Sequence, residues 1–358
     1  MRLAQDHVGC RQGRDHPQCP GRQQPRSCPR PTGNEPRRPQ HAAHPVRQAR
    51  LGGRLVAGLG GSSRIVSMSA APSSFCFGPH PTDPLDHRND RLLNMKNSRG
   101  LALSDAVDLP GNAYDRSMAN SLRNYYESKA AKLAQSDVYG RFIQSERSLR
   151  QFGSSMNRAL DAQPIPAPIS KLYTGLPPSR LNNANMGEQI RNLYDAIRNR
   201  DLFDMRVASL CYDGWDSHAG EIAMIEPRYE DLFGTGKALD TLWQSVEAAS
   251  RQNMVLVLGG EFGRQLRANG AGGTDHGRGS HMIVIGENVR GGFYGNPFPT
   301  SELAKLGKQS PDIDGLTAIE RVYASISEWV APGAGSVVFP GVAGMPQEPG
   351  NALNLFRA

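Results

Sequence analysis

Short apolar runs alternate with amphipathic segments through the second half of the 358-residue chain. The runs of strand length lie at 203–212, 253–259, 281–286 and 336–341. Segments with helical spacing of apolar residues lie around them, at 185–200, 226–251 and 317–330. This alternation favours an α/β fold in which helices flank a mostly parallel sheet.

The first half of the body adds a few more elements. Residues 63–70 (SRIVSMSA) alternate apolar and polar side chains and predict another strand. Residues 114–160 are rich in helix formers at helical spacing, which predicts two helices. Residues 161–185 contain five prolines and indicate a surface connection. No apolar run reaches the roughly 18 residues that span a bilayer, so no transmembrane segment is expected.

The leader, residues 1–62, differs in composition from the body, residues 63–358. It carries eleven Arg, no Lys and three acidic residues, a net charge of +8 against +7 for the whole chain. The body is therefore nearly neutral, and no specific nucleic-acid binding is expected of it. The leader has little aliphatic periodicity and many prolines, which predicts disorder.

Three origins of the leader are open. It could be a tail that binds a polyanion, a targeting peptide, or DNA translated in the wrong frame and joined to the true frame near residues 55–63. The third is favoured, because an Arg-, Pro- and Gln-rich stretch without Lys is typical of misframed GC-rich DNA. A targeting peptide is disfavoured, because the leader lacks an apolar segment.

Polar side chains cluster directly after two of the predicted strands. The loop after 203–212 holds Asp216 and His218 within the sequence DGWDSHAGE. The loop after 253–259 holds Glu261, Arg264, Asp275, His276 and Arg278. Because open α/β sheets bind ligands beyond the carboxyl ends of their strands, the two loops predict one functional site.

The residue types in these loops suit a divalent metal, with zinc or manganese favoured. The predicted ligands are Asp216, His218, Asp275 and His276. Two ions about 4 Å apart would clamp a phosphoryl or sulfuryl group. We expect Arg264 and Arg278 to face an anionic substrate and Glu261 to orient its loop.

A simpler interpretation is also open for each Asp–His pair. Asp275 and His276 fit an Asx turn with a solvated imidazole, and Asp216 and His218 fit a turn or capping pair. The occurrence of both pairs in a body with only five histidines favours a site.

The second loop is rich in glycine. Eight of the 21 residues from Gly259 to Gly279 are glycine, which leaves little room for a crossover helix. A strand at 281–286 that runs antiparallel beside 253–259 is therefore favoured. That arrangement would bring Asp275 and His276 near Glu261.

Longer motifs resemble the bacterial domain-of-unknown-function family 1501 over roughly residues 63–345. They are GWDSH at 214–218, GGEFGRQLRANGAGGTDHGRGSHMIVIGENVRGGFYG at 259–295 and TAIERVYASISEWV at 317–330. Family members typically show GGWDTH, SEFGRT, a GGTDHG-type loop and GGxVYG. The present chain has Gly259 and Gly260 before Glu261, where Ser-Glu is usual.

The family resembles the alkaline phosphatase and sulfatase superfamily. The resemblance implies that Asp216 and His218 form one half of a metal site and that Asp275 and His276 form the other. It also implies export through a twin-arginine signal. Members normally begin with that signal and a strand ending in a GGxDG-type turn, which carries another ligand and precedes the nucleophile. Residues 1–62 match neither, so we expect an N-terminally truncated or misframed copy that lacks the first strand.

Two functions of different classes are compatible with these motifs. The first is a metal-dependent, hydrolase-like protein, active or inactive, whose substrates are small anionic phosphate or sulfate esters. The second is a non-catalytic exported binding or surface protein that retains the fold.

Overall fold

The structure is a computed structural model that describes residues 51–60, 63–69, 72–78, 92–99, 113–130, 138–175, 186–202, 204–260, 262–308 and 312–357. All of them belong to one compact unit, Arg47–Ala358. The described helices are α1 (Leu51–Leu59), α2 (Ala113–Ala130), α3 (Val138–Asp161), α4 (Ala167–Gly175), α5 (Met186–Arg198), α6 (Glu221–Phe233), α7 (Ala238–Ser245), α8 (Ala248–Arg251), α9 (Thr300–Leu303), α10 (Ile319–Val330) and α11 (Ala334–Val338). The described strands are β1 (Arg64–Ser67), β2 (Leu92–Asn94), β3 (Met205–Ser209), β4 (Leu256–Gly259), β5 (Gly263–Ala268), β6 (Thr274–Gly277) and β7 (Met282–Ile285).

A small parallel sheet with the order β2–β1–β3 lies at the centre of the described fold. Ile65 and Val66 of β1 are completely buried, as expected for a parallel strand with both faces covered. The predicted strands at 63–70 and 203–212 are confirmed as β1 and β3. The protein is therefore a mixed α/β protein with a small parallel sheet.

Two antiparallel strand pairs accompany this sheet. β4 pairs with β7, which confirms the predicted antiparallel arrangement of 253–259 and 281–286. β5 pairs with β6, so the glycine-rich segment is a β-hairpin and not only a loop. Among the described residues the strands thus form three separate sheets, where the sequence predicts one mostly parallel sheet.

The main core lies between the parallel sheet and the helices α3, α4, α5 and α7. α5, which confirms the helix predicted at 185–200, contributes Ile190, Leu193 and Ile197 to this core. The two helices predicted within 114–160 are confirmed as α2 and α3, and 317–330 is confirmed as α10. No helix in the described part of the chain is both long enough and apolar enough to cross a membrane.

Residues 51–59 belong to the packed fold, although the sequence places them in the leader. They form α1, in which Leu55 and Val56 are buried against α11 and β1. The segment LGGRLVAGL is apolar enough to bury a face, unlike the residues before it. The prediction of disorder for 1–50 lies outside the described residues.

Three other elements differ from the sequence predictions. The predicted strand at 336–341 is wrong, because α11 occupies 334–338. The predicted surface connection at 161–185 contains α4, whose Ile169 and Leu172 are buried against α5. The predicted helix at 226–251 begins five residues earlier and is divided into α6, α7 and α8 near Gly234 and Val246.

Candidate metal centre

The loop that follows β3 is held in place by a buried side chain of α5. The Gln189 amide donates to the Cys211 carbonyl at 2.7 Å and accepts from the Cys211 N–H at 2.7 Å. Further along, the Trp215 ring lies edge-on to Tyr212 and Tyr229, with centroids 6.0 and 5.1 Å apart. Residues 211–215 are therefore fixed before the chain reaches Asp216.

The spacing of Asp216 and His218 places both side chains on the same face. Ser217 between them is completely buried, while Asp216 and His218 are about half exposed. The two candidate ligands therefore flank a buried residue, and both side chains are open to solvent. The Ser217 hydroxyl has no hydrogen-bond partner among the described residues.

The β5–β6 hairpin docks directly onto this loop. Ala219 and Gly272 form an isolated antiparallel bridge, and the Glu221 N–H donates to the Gly272 carbonyl at 2.8 Å. The Thr274 hydroxyl donates to the Glu221 carboxylate at 2.9 Å. These contacts bring the two polar loops together, as the sequence predicts.

Three predicted ligand atoms converge at the junction. The Nε2 atom of His276 lies 2.9 Å from Oδ1 of Asp216 and 3.1 Å from Nε2 of His218. Nε2 of His218 lies 3.1 Å from the same Asp216 oxygen. The three atoms therefore form a nearly equilateral triangle.

This triangle fits one divalent ion. Ligand atoms held at about 2.0–2.2 Å from an ion lie roughly 2.8–3.6 Å apart in octahedral or tetrahedral arrangements. The side chains are between 45% and 52% exposed, so the solvent side of the triangle is open. One carboxylate and two imidazoles, with positions left over, are typical of a reactive metal site and not of a closed structural one.

Arg264 and Phe262 support the triangle from behind. Arg264 donates to Asp216 Oδ1 at 2.7 Å and to the carbonyls of Trp215 and Thr274 at 3.1 and 2.6 Å. The Phe262 ring stacks on the His276 imidazole, with centroids 3.7 Å apart.

Hydrogen bonds to Asp216 keep its carboxylate ionised. Partial burial acts to raise the pKa of Asp216, but hydrogen bonds from His276 and Arg264 outweigh it and hold the pKa below its usual value. The ionised form is the one that binds metal.

Asp275 lies near the triangle but outside it. Its Oδ1 contacts Nδ1 of His218 at 3.3 Å, on the opposite edge of the ring from Nε2. Asn269 donates to the same Asp275 oxygen at 3.1 Å. Hydrogen bonds from Asn269 and His218 lower the pKa of Asp275. The fourth predicted ligand therefore contacts a ligand, and it does not join the group of three.

The structure gives the predicted anion-binding residues other contacts. Arg278 forms ion pairs with Asp312 and Asp314, and the hydrogen bond to Asp312 is the main reason why the pKa of Arg278 is raised. Arg264 is occupied by Asp216 and two carbonyls. Glu261 lies outside the described residues.

Three residues that position the site were not predicted from the sequence. They are Gln189, Phe262 and Asn269. Asn269 stands at the start of the hairpin turn, where its Oδ1 accepts from the Ala271 N–H at 3.0 Å. An asparagine before Gly-Ala-Gly-Gly is a turn signal that the sequence does contain. Gln189 and Phe262 have no comparable local signal, since their roles depend on tertiary contacts.

The fold and the site together define a mixed α/β protein with a solvent-facing Asp–His–His triad on a loop and an adjoining β-hairpin. Residues 78–304 match the family described as Protein of unknown function (DUF1501), and the chain belongs to that family. No curated protein and no solved structure matches the chain.

Proposed function

We propose that this protein is a metal-dependent, hydrolase-like member of the alkaline phosphatase and sulfatase superfamily that acts on phosphate or sulfate esters. The observation that carries the proposal is the convergence of Asp216, His218 and His276, with ligand atoms 2.9–3.1 Å apart. The GWDSH and GGTDHG motifs resemble those of family 1501, which in turn resembles the alkaline phosphatase and sulfatase superfamily. This resemblance supports the choice of reaction.

Each residue of the site has a separate task in this proposal. Asp216, His218 and His276 hold the ion, and Arg264 fixes the Asp216 carboxylate in its ionised form. Phe262 restrains the plane of the His276 ring. When bound, zinc or manganese supplies Lewis acidity toward a phosphoryl or sulfuryl oxygen. The open solvent side allows an ester to approach the ligand triangle.

A non-catalytic exported binding or surface protein is the second candidate, and the exposure of the three ligand side chains favours it. Substrate sites are normally concave. A cavity of 510 Å³ lies elsewhere, between Phe293 and Asn351, and its lining contains none of the three ligands. A protein that kept the fold and the ligand triangle only for binding would hold metal but would not turn over esters.

Elemental analysis and a turnover assay on the full chain separate these candidates. We expect near-stoichiometric zinc or manganese, with hydrolysis of an aryl phosphate or an aryl sulfate. His276→Ala removes one corner of the triangle and should lose both. Arg267→Ala, an exposed change on the same hairpin, is the matched control and should keep both.

Two outcomes would redirect the proposal. Metal without turnover supports the binding protein, and the absence of both metal and turnover overturns the metal-dependent hydrolase.

A further inference from the structure

The imidazole of His218 is held at both of its nitrogen atoms. Nε2 faces the other two ligand atoms, and Nδ1 faces Oδ1 of Asp275 at 3.3 Å. An ionised carboxylate can only accept a hydrogen bond, so the contact requires a proton on Nδ1. In the neutral ring, Nε2 then carries a lone pair, which is the state that a metal requires.

Asn269 holds the Asp275 carboxylate in this position. Its Nδ2 donates both to Asp275 Oδ1 at 3.1 Å and to the His218 carbonyl at 2.9 Å. One amide therefore spans the hairpin and the loop after β3. The amide is fixed in turn, because its Oδ1 accepts from the Ala271 N–H and its backbone N–H donates to the Gly273 carbonyl.

We propose that Asp275 and Asn269 are positioning residues, which hold His218 in the Nδ1-protonated tautomer with Nε2 directed at the ligand triangle. The inference rests on the metal site of the proposed function, and it deepens that site by assigning the carboxylate and the amide behind it. Asp275 acts through His218 and is not itself a ligand. An imidazole that binds metal commonly donates its other N–H to a carboxylate in this manner.

The side-chain types at both positions follow from this role. An aspartate at position 269 would place a second carboxylate against Asp275 and would lose the donor group. An asparagine at position 275 could offer its amide oxygen to Nδ1–H, but without the full negative charge that favours this tautomer. In free histidine the Nε2-protonated tautomer predominates, so the preference must come from these neighbours.

The tautomer can be measured without any metal. Nitrogen chemical shifts of ¹⁵N-labelled histidine report which ring nitrogen carries the proton, and His218→Gln assigns the signal. The spectra are recorded in mildly alkaline solution. We expect metal-free wild-type protein to show Nδ1-protonated His218, and both Asp275→Asn and Asn269→Ala to shift it toward the Nε2-protonated form. Asn253→Ala removes an asparagine whose Nδ2 donates, within the described part of the chain, to the Ala249 carbonyl, and it should change nothing.

Cobalt(II) binding to the same variants supplies the second measurement. Loss of a group behind a ligand typically weakens metal affinity about 10–100-fold. We expect a weakening of that size in Asp275→Asn and Asn269→Ala, with the visible absorption spectrum of the bound cobalt unchanged. His276→Ala, which removes a ligand, should change the spectrum or abolish binding.

The outcomes are distinguishable. Wild-type His218 in the Nε2-protonated form, or a tautomer indifferent to both substitutions, overturns the positioning role. A cobalt spectrum altered by Asp275→Asn also overturns it, because Asp275 would then be a ligand. A supported tautomer in a chain that binds no metal leaves the positioning role standing and contradicts the proposed function.

Discussion

At the scale of single residues, Gly273 allows the two loops of the site to touch. A Cβ atom built at this position would lie 2.3 Å from the His218 carbonyl carbon and 2.5 Å from the Ala219 nitrogen. Both are backbone atoms, so a side chain at 273 would have to push the loops apart. The position is thus restricted to glycine by the close approach of another segment.

We expect Gly273→Ala to separate His276 from Asp216 and His218. Overpacking of this kind typically lowers the free energy of unfolding by about 1–3 kcal/mol. The free energy of metal binding should fall by more than this, because the substitution moves one ligand away from the other two. Gly291→Ala is the control, because nothing lies within 4 Å of a Cβ at that position. Urea denaturation and metal titration of both variants measure the effect. Unchanged metal affinity in Gly273→Ala would contradict the close approach.

The candidate site could be predicted in composition but not in arrangement. The sequence predicts that Asp216, His218 and His276 meet, since each follows a strand pattern. It also predicts Asp275 as a ligand, whereas the structure places Asp275 at Nδ1 of His218, because residues 274–277 read as a glycine-rich loop and are in fact β6. Neighbouring residues of a strand point to opposite faces, so Asp275 and His276 do not aim at the same point.

At the scale of secondary structure elements, α11 shows why a local pattern can mislead. The segment SVVFPG has the composition of a strand, yet residues 334–338 are helical. The Glu328 side chain accepts from the N–H groups of Gly333 and Gly335 at the start of this helix. Val338 and Phe339 are buried against α1 and α10. Strand propensity is weaker than packing of this kind, and the sequence alone does not reveal it.

A buried carboxylate of α5 holds the segment of chain that follows β2. Asp195 is 1% exposed and accepts two hydrogen bonds from Arg99 and one from the Ser98 hydroxyl. Arg99 also donates to the carbonyls of Leu160 and Gln163. The pair therefore ties the segment after β2 to α5 and to the end of α3.

Replacing Asp195 with Ala should destabilise the protein by about 3 kcal/mol, the lower end of the range for breaking a buried ion pair, because Arg99 keeps some access to water. Arg206→Met removes an exposed ion pair with Asp204 and should cost at most about 1 kcal/mol. Chemical denaturation compares the two variants. Equal losses would mean that Asp195 does not stabilise the fold through its buried pair.

A second ion cluster joins the β6–β7 connection to α9 and should make stability depend on pH. A hydrogen bond from Lys305, with the charges of Lys305 and Arg278, lowers the pKa of Asp314 from its ordinary value of 3.8. A carboxylate with a depressed folded pKa contributes stability that is complete above the unfolded pKa and is lost as the pH falls through the folded pKa.

Asp314→Asn should therefore lower the urea midpoint at pH 7, and the difference from wild type should shrink as the pH falls below about 4. The effect should stay below about 1 kcal/mol, since the Asp314 side chain is 51% exposed. Asp201→Asn, at a side chain that is 97% exposed, is the control and should follow wild type throughout. A difference that grows in acid would show that the cluster does not act through the ionised Asp314.

At the scale of the whole molecule, the division into three sheets was beyond the reach of the sequence. The strand patterns identify β1, β3, β4 and β7, and the glycine-rich connection predicts that β4 and β7 run antiparallel. The sequence does not predict that this pair lies apart from the β2–β1–β3 sheet. Strand partners are chosen by tertiary packing, which no single strand pattern encodes. β5 and β6 fall in a segment so rich in glycine that strand propensity is low.

The candidate metal site links parts of the chain that are far apart in sequence. Asp216 and His276 are 60 residues apart, and the contact between them joins the loop after β3 to the β5–β6 hairpin. The ligand triangle is assembled only in the folded chain, so an ion that binds it should stabilise the whole fold against unfolding.

Zinc or manganese at 100 times its dissociation constant should add about 2.7 kcal/mol to the free energy of unfolding. For a fold of this size that gain raises Tm by about 5 °C. Differential scanning calorimetry with excess metal, and again after removal of metal by a chelator, measures the shift in wild type, His276→Ala and Arg267→Ala. We expect the shift in wild type and Arg267→Ala but not in His276→Ala, because the latter retains the fold and lacks one corner of the triangle. An equal shift in all three proteins would place the stabilising ion elsewhere on the chain and would contradict the Asp216–His218–His276 site.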